Sequence, residues 1–287
     1  GQPGAAPVLL APTAFQSLAH PEGELATARA AAVGGTVAVV STFSAFRLEE
    51  IAVAASGPKW FQLYCYSDRE VTRALVQRAQ SAGYSAICLT VDLPRVGRRE
   101  RDLRNEFRLP ARARPRNFEA FVDLSQDRAF EQFIESMVDS SLTWEAVDWL
   151  RSITSLPILL KGILTPGDAR LAVEHGAQGI VVSNHGGRQL DTVPATIDVL
   201  AEVADVVQGR AEVLLDGGVR RGTDVVKALA LGAKAVLIGR PYVYGLAVSG
   251  EQGVRHVIEL LKAEVELAMA LLGCPNVAAI DRSFVRM

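Results

Sequence analysis

Eight short apolar runs, rich in valine, isoleucine and leucine, recur along the chain at 8–11, 36–41, 60–64, 86–91, 157–161, 179–183, 212–216 and 235–239. Most are continuous rather than alternating, the pattern of strands buried on both faces in a parallel sheet. Helical periodicity fills most of the gaps, at 22–32, 48–54, 69–82, 144–152, 167–175, 196–206 and 222–231. Thr143 before Trp144 and Thr165-Pro166 before Gly167 are helix-start signals. Gly34, Gly83, Gly176 and Gly232 stand where helices should close. Alternating strand–helix units in this number predict an α/β protein, a (β/α)8 TIM barrel formed by residues 1–287 as one domain. A doubly wound open sheet is the competing arrangement, disfavoured by the lack of a dinucleotide fingerprint.

One connection breaks the rhythm. Residues 92–156 join strands 4 and 5 over a length far beyond an ordinary barrel loop. Its first part carries Arg95, Arg98, Arg99, Arg101, Arg104, Arg108, Arg112, Arg114 and Arg116, interleaved with Glu100, Asp102 and Glu106. A solvated surface accounts for such a run as a whole. The functional expectation is a lid, mobile in the free protein, that closes over the catalytic face and delivers one or two arginines to an anion.

Composition narrows the partners. With 287 residues, 49% of them hydrophobic, the chain can bury one large core. A formal net charge of -2 gives no electrostatic case for nucleic acid or an anionic membrane. No apolar run approaches the ~18 residues of a bilayer span. Cys65, Cys88 and Cys274 lack metal-type spacing, and an odd cysteine count suits a reducing compartment. The first residues do not read as a signal peptide and the last three are not a Ser-Lys-Leu address, so the cytoplasm is the expected compartment.

The candidate chemistry gathers where the apolar runs end. In order, they end in Pro12-Thr13-Ala14, Ser41-Thr42-Phe43, Gln62-Leu63-Tyr64, Thr90-Val91-Asp92, Lys161-Gly162, Ser183-Asn184-His185, Asp216-Gly217-Gly218 and Gly239-Arg240. Barrel chemistry occurs at the carboxyl ends of the strands. Any one of these polar residues could be a cap or a turn; together they imply a shared ligand site. Asp216, Gly217, Gly218, Gly239, Arg240 and Arg220 offer bare amides and cations after strands 7 and 8, where barrels commonly hold a phosphate. Lys161 could form a Schiff base or stabilise negative charge on a cofactor. His185 stands after a strand with Arg188 three residues on, a base and a cation suited to a carboxylate substrate that loses a proton. Asp92 could orient and charge-stabilise its imidazole.

The segment Ser183-Asn184-His185-Gly186-Gly187-Arg188-Gln189-Leu190-Asp191 closely resembles the active-site signature of the FMN-dependent α-hydroxy-acid oxidases, the glycolate and lactate oxidase group. Further shared motifs are Ala11-Pro12-Thr13-Ala14, Glu22-Gly23-Glu24, Trp60-Phe61-Gln62-Leu63-Tyr64, Thr90-Val91-Asp92, Leu160-Lys161-Gly162, residues 215–220 and Ile238-Gly239-Arg240. The resemblance implies an FMN-binding TIM barrel. It puts the flavin ring on Pro12, Thr13 and Ala14, with Ser41, Gln62 and Thr90 on its polar edge. Lys161 then lies where reduction builds negative charge, Ser183 and Asp216 join the cofactor contacts, and Gly217, Gly218, Arg220, Gly239 and Arg240 hold the phosphate. By the same resemblance His185 takes the substrate proton, Asp92 supports it, Arg188 and Arg99 clamp the carboxylate, and Tyr64 bonds the hydroxyl or carboxylate. Phe43 would line the pocket and influence side-chain size. The implied reaction converts a small L-2-hydroxy acid of the lactate or glycolate type to the 2-oxo acid, with O2 reduced to hydrogen peroxide. A dehydrogenase passing electrons to a quinone or other carrier is the near rival; a Lys161 Schiff-base lyase and a non-catalytic flavin-binding barrel are remoter ones. The family further implies a homo-oligomer, a tetramer, and the helical segment it carries before strand 1 is absent from this sequence.

Overall fold

The computed structural model describes residues 6–124 and 130–286. Eight parallel strands close a barrel in chain order: β1 (Val8–Leu10), β2 (Ala38–Val40), β3 (Lys59–Leu63), β4 (Ala86–Thr90), β5 (Ile158–Ile163), β6 (Gly179–Val182), β7 (Glu212–Asp216) and β8 (Ala235–Ile238), with β8 pairing β1. Every apolar run of the sequence overlaps one of them; β3 begins one residue earlier and β5 ends two residues later than expected. The continuous hydrophobicity is explained by two separate cores. Leu9, Val39, Cys88, Leu159, Val181, Leu214 and Leu237 fill the barrel, while their neighbours along each strand pack outward against the helices.

A strand's side chains alternate faces, so a residue two places beyond an inward one also points inward. Two places beyond Val39, Cys88, Leu159, Val181, Leu214 and Leu237 stand Ser41, Thr90, Lys161, Ser183, Asp216 and Gly239. Pairing Thr90 with Lys161 and Gln62 with Cys88 keeps this register around the wall. The polar ring at the mouth is therefore the top layer of the barrel's own interior.

The helices are α1 (Gly23–Val33), α2 (Leu48–Ala54), α3 (Arg69–Ser81), α4 (Glu100–Arg104), α5 (Phe130–Met137), α6 (Glu145–Ile153), α7 (Pro166–Glu174), α8 (Thr196–Val207), α9 (Gly222–Ala230) and α10 (Arg240–Leu271). Thr165 caps α7 by accepting from the Asp168 amide, and Pro166 takes its first position, as the sequence predicts. The sequence reading assigns no helix after strand 8. Non-helical backbone at Ser249 and Gly250 breaks α10, which hides its period.

The long connection departs from a loop without structure. Besides α6, it contains α4, α5 and two short 3-10 turns, Ala111–Ala113 and Arg116–Phe118. Its middle is built into the core: Phe118 and Asn117 are buried, and Asn117 Nδ2 donates to the Thr42 carbonyl and the Ser44 hydroxyl at 2.9 and 3.0 Å. Arg116 pairs with Glu50 and Glu119, and Arg104 with Glu100, so part of the arginine run is structural. The segment before residue 111 lies mostly at the surface.

Behind the mouth, Glu24 of α1 is 2% exposed. Its Oε1 accepts from the Gln16 and Ala45 amides at 3.0 and 3.3 Å, tying the loops after β1 and β2 together. Gln16 in turn donates to the Thr13 carbonyl, and the Tyr242 hydroxyl to that of Ala11. Burial pushes the Glu24 carboxyl up to about 7, against the pull of its backbone donors. The native state thus binds more protons than the unfolded chain between pH 4.5 and about 7, so stability falls as pH rises through that window. The expected loss is about 3 kcal/mol. Glu24→Gln should remove this slope; urea unfolding at pH 5 and pH 8 measures it, and an unchanged slope would contradict the assignment.

Candidate active site

Pro12, Ala14, Ser41, Gln62, Tyr64, Thr90, Lys161 and His185 line one cavity in the barrel mouth. They come from six different strand ends, so only barrel closure brings them together. Gln62 is the hub of one wall. Its Nε2 donates to Thr90 Oγ1 at 3.1 Å, and its Oε1 accepts from Ser41 Oγ and the Thr42 amide at 3.3 and 3.2 Å.

Lys161 is the hub of the other. Its Nζ donates to Ser183 Oγ at 3.1 Å and lies 3.4 Å from Asp216 Oδ2, with both ionic side chains below 10% exposed. Burial alone would drive the proton off; the Asp216 and Asp92 carboxylates outweigh it and hold the ammonium charged well above its ordinary range. A permanently protonated amine is the wrong form for a Schiff-base nucleophile. The charge-stabilising role of Lys161 is the one its surroundings support.

His185 Nδ1 meets Asp92 Oδ1 at 2.8 Å, leaving Nε2 for a substrate in the cavity. Burial and then the Lys161 charge push the imidazole below its ordinary pKa, against the opposing pull of Asp92. It is therefore neutral, and able to accept a proton, at neutral pH. Burial raises the Asp92 carboxyl, but Lys161 and His185 lower it further, so it stays ionised. The backbone pays local attention to this placement: His185 adopts φ 56°, followed by Gly186 and Gly187 at 67° and 72°. A non-glycine residue in that region is uncommon and here turns the ring back over the mouth. Ser183 Oγ accepts the His185 amide at 3.1 Å, linking the histidine's backbone to the lysine's ammonium.

Gly162 is a functional position that the sequence marks only as part of a motif. At φ 113°, any Cβ there would lie 2.7 Å from that of Asp92, so glycine is what lets Asp92 approach. Tyr64 lines the cavity; burial and then Asp92 raise its hydroxyl, which stays a proton donor, while Lys161 and Arg99 pull the other way. Arg99 caps α4, and its charge reaches Tyr64 without its side chain lining the cavity.

Phe43 and Arg188, like Arg99, are outside the cavity lining. Phe43 is buried at the centre of an aromatic cluster with Phe15, Phe118, Phe133 and Tyr64, its ring centroid 5.4 Å from that of Tyr64. It stands behind the wall and touches the site through Tyr64. Arg188 is exposed and outside the cavity lining.

The implied flavin fits the groups present. Among the described residues, Asp216 Oδ1, Asn184 Oδ1 and Asp92 Oδ2 are buried without a hydrogen-bond partner, a state that calls for a polar ligand. Gly217 and Gly218 have φ 88° and 80°, and a Cβ on Gly218 would meet nothing within 4 Å, an open cradle of bare amides. Arg220 is exposed beside it. Arg240 Nη2 donates to the Gly186 carbonyl at 3.1 Å, so this cation also braces the His185 turn. Thr13 shares a hydrogen bond with Tyr242 rather than lining the cavity.

Comparison with known proteins agrees with this geometry. A family model described as FMN-dependent dehydrogenase matches residues 1–287. Glycolate oxidase 3 of Oryza sativa subsp. indica is 56% identical over 283 residues, 97% of this chain and 77% of that protein. L-lactate oxidase of a Nostoc strain is 54% identical over 297 residues, covering 100% of this chain and 81% of its own. A crystal structure of mandelate oxidase with (S)-4-hydroxymandelic acid superposes with a TM-score of 0.93 at 49% identity, over 97% of this chain and 79% of that one.

The charge cluster makes a stability prediction. Lys161→Met leaves two buried carboxylates without their cation and should destabilise the protein by about 3–5 kcal/mol. Adding Asp216→Asn should restore part of the loss. Denaturant unfolding of the single and double variants measures both, and strict additivity of two losses would refute the cluster.

Proposed function

The chain belongs to the FMN-dependent dehydrogenase family, and from that membership we propose that it oxidises a small L-2-hydroxy acid to the 2-oxo acid with O2 as electron acceptor. The observation that carries the reading is the His185–Asp92 pair at a cavity that Lys161 also lines, the two joined through the Ser183 hydroxyl. Relatives named glycolate oxidase and L-lactate oxidase support an oxidase over a dehydrogenase that uses another carrier.

Bound FMN supplies the two-electron acceptor and the passage of those electrons to O2, giving hydrogen peroxide. Pro12 and Ala14 would support its ring, with Ser41, Gln62 and Thr90 hydrogen-bonding its polar edge. Lys161 would offset negative charge there, and Gly217, Gly218, Arg220, Gly239 and Arg240 would hold the phosphate. His185 Nε2 takes the substrate's proton; Asp92 stabilises the resulting imidazolium and fixes the ring. Tyr64 donates to the substrate's hydroxyl or carboxylate oxygen. Arg99 and Arg188 bind the carboxylate, which for Arg188 requires its exposed side chain to swing inward. Loss of the Cα hydrogen and two electrons then leaves the carbonyl of the product.

The proposed compartment is the cytoplasm, on three buried, unpaired cysteines. No described helix is long and apolar enough to cross a membrane, and one Arabidopsis relative is named peroxisomal. A homo-oligomer, a tetramer, goes with the reading; exposed Val53, Val248 and Leu271 are apolar surface that association would cover. Light scattering of the purified protein decides the mass.

Released cofactor should be FMN by mass, and glycolate or L-lactate should bleach the flavin under nitrogen; a protein that stays yellow with 2-hydroxy acids would sink the reading. His185→Gln should retain flavin while reduction slows by about 10²–10⁴-fold. The acid limb of the reduction rate should fall below the ordinary histidine value of 6.5. Asp92→Asn removes the group that raises His185, so the limb should move lower still as the plateau drops. Stopped-flow reduction across pH 4.5–8 checks both shifts.

A further inference from the structure

We propose that Gln189 is a positioning residue that clamps the first part of the β4–β5 connection onto the β6 loop, holding Arg99, whose charge reaches Tyr64, on the same frame as Arg188. Its amide is engaged at both ends. Nε2 donates to the Asp92 carbonyl at 2.9 Å and to the Arg95 carbonyl at 3.0 Å. Oε1 accepts from the Gly97 amide at 3.3 Å. One side chain thus binds the backbone of residues 92–97 at three points.

The interlock has a second part. A Cβ on Gly97 would lie 2.4 Å from the Arg188 carbonyl oxygen and 2.8 Å from the Gln189 Cα. The two loops therefore meet backbone to backbone at that point, with no room for a side chain. Asp92 is held at both ends, its carbonyl by Gln189 and its carboxylate against His185. Arg99 follows Gly97 by two residues and caps α4, too short a span to move independently of the clamp.

Glutamine is the side chain that this geometry asks for. It offers two donors to two carbonyls and one acceptor to an amide. Glutamate keeps the size but offers no donor, and sets a carboxylate against two carbonyl oxygens. Gln189 does not line the cavity, so its effect reaches substrate through Arg99 and Asp92.

The role of the clamp in turnover rests on the 2-hydroxy-acid reading of the site; its existence does not. The test uses the flavin-loaded protein and the variants Gln189→Ala, Gln189→Glu and Gly97→Ala. Amide hydrogen exchange over residues 92–104, with and without oxalate, reports the clamp directly. Exchange there should rise about tenfold in Gln189→Ala, and more in Gln189→Glu. In anaerobic stopped flow, the substrate concentration for half-maximal reduction should rise about tenfold while the limiting rate falls less. Flavin content should not change. The Gln189→Ala/Gly97→Ala double variant should be little worse than either single, because both remove one shared contact. Unchanged exchange over 92–104 in Gln189→Ala overturns the clamp, as does a limiting rate that falls with affinity intact. Failure of the unmodified protein to be reduced by glycolate or L-lactate overturns the assigned reaction, and the exchange measurement alone then decides the clamp.

Discussion

The ammonium of Lys161 is the interaction on which the site depends. It is buried at the end of β5, and its charge acts on Asp92, His185, Tyr64 and Cys88 alike. An isolated buried cation is costly, so the surroundings must neutralise it. Asp216 approaches from β7, Asp92 from beyond β4, and Ser183 from β6. Burial and then the same cation keep His185 neutral, and the cation keeps Asp92 ionised, the two states that proton removal requires. One charge thereby sets the protonation of its neighbours, and the buried carboxylates return the effect by keeping the lysine charged.

That charge can be buried there because the barrel is built in period-two layers. Leu159 fills the interior one step below Lys161, as Val181 does below Ser183 and Leu214 below Asp216. The apolar layer excludes water from beneath and leaves the polar layer facing the mouth. Above it the backbone accepts strain: His185 in the left-handed region costs about 1–3 kcal/mol, and the Ser183 hydroxyl and the Arg240 guanidinium are among the contacts that hold its turn. Glu24 plays a comparable part behind β1 and β2, joining two loops at the expense of a buried carboxyl.

The long connection shows how a run of one residue type can hide several roles. Arg116 and Arg104 are tied into surface ion pairs, the charge of Arg99 reaches Tyr64, and Arg95 offers its carbonyl to Gln189. Nothing in the spacing of the arginines separates these fates. Asn117, hydrogen-bonded to Thr42 and Ser44 in the loop before α2, to the first amide of α2 and to Arg78 of α3, anchors the middle of the connection and carries no sequence signal of its own.

The sequence by itself determined the eight strands, their buried character, the closure into a barrel and the polar residue at the end of each strand. These are local properties: apolar runs, period-two alternation and turn residues all act within a few positions. It also marked His185, Asp92 and Lys161, because a histidine, a carboxylate and a lysine directly after apolar strands have few packing explanations. Only the tertiary structure decided which groups meet. The burial of Phe43 behind Tyr64, the need for glycine at 162 and the three-point grip of Gln189 depend on segments distant in the chain, brought together by the barrel. Long-range contacts of that kind leave no local periodicity, since each partner alone reads as an ordinary turn or surface residue.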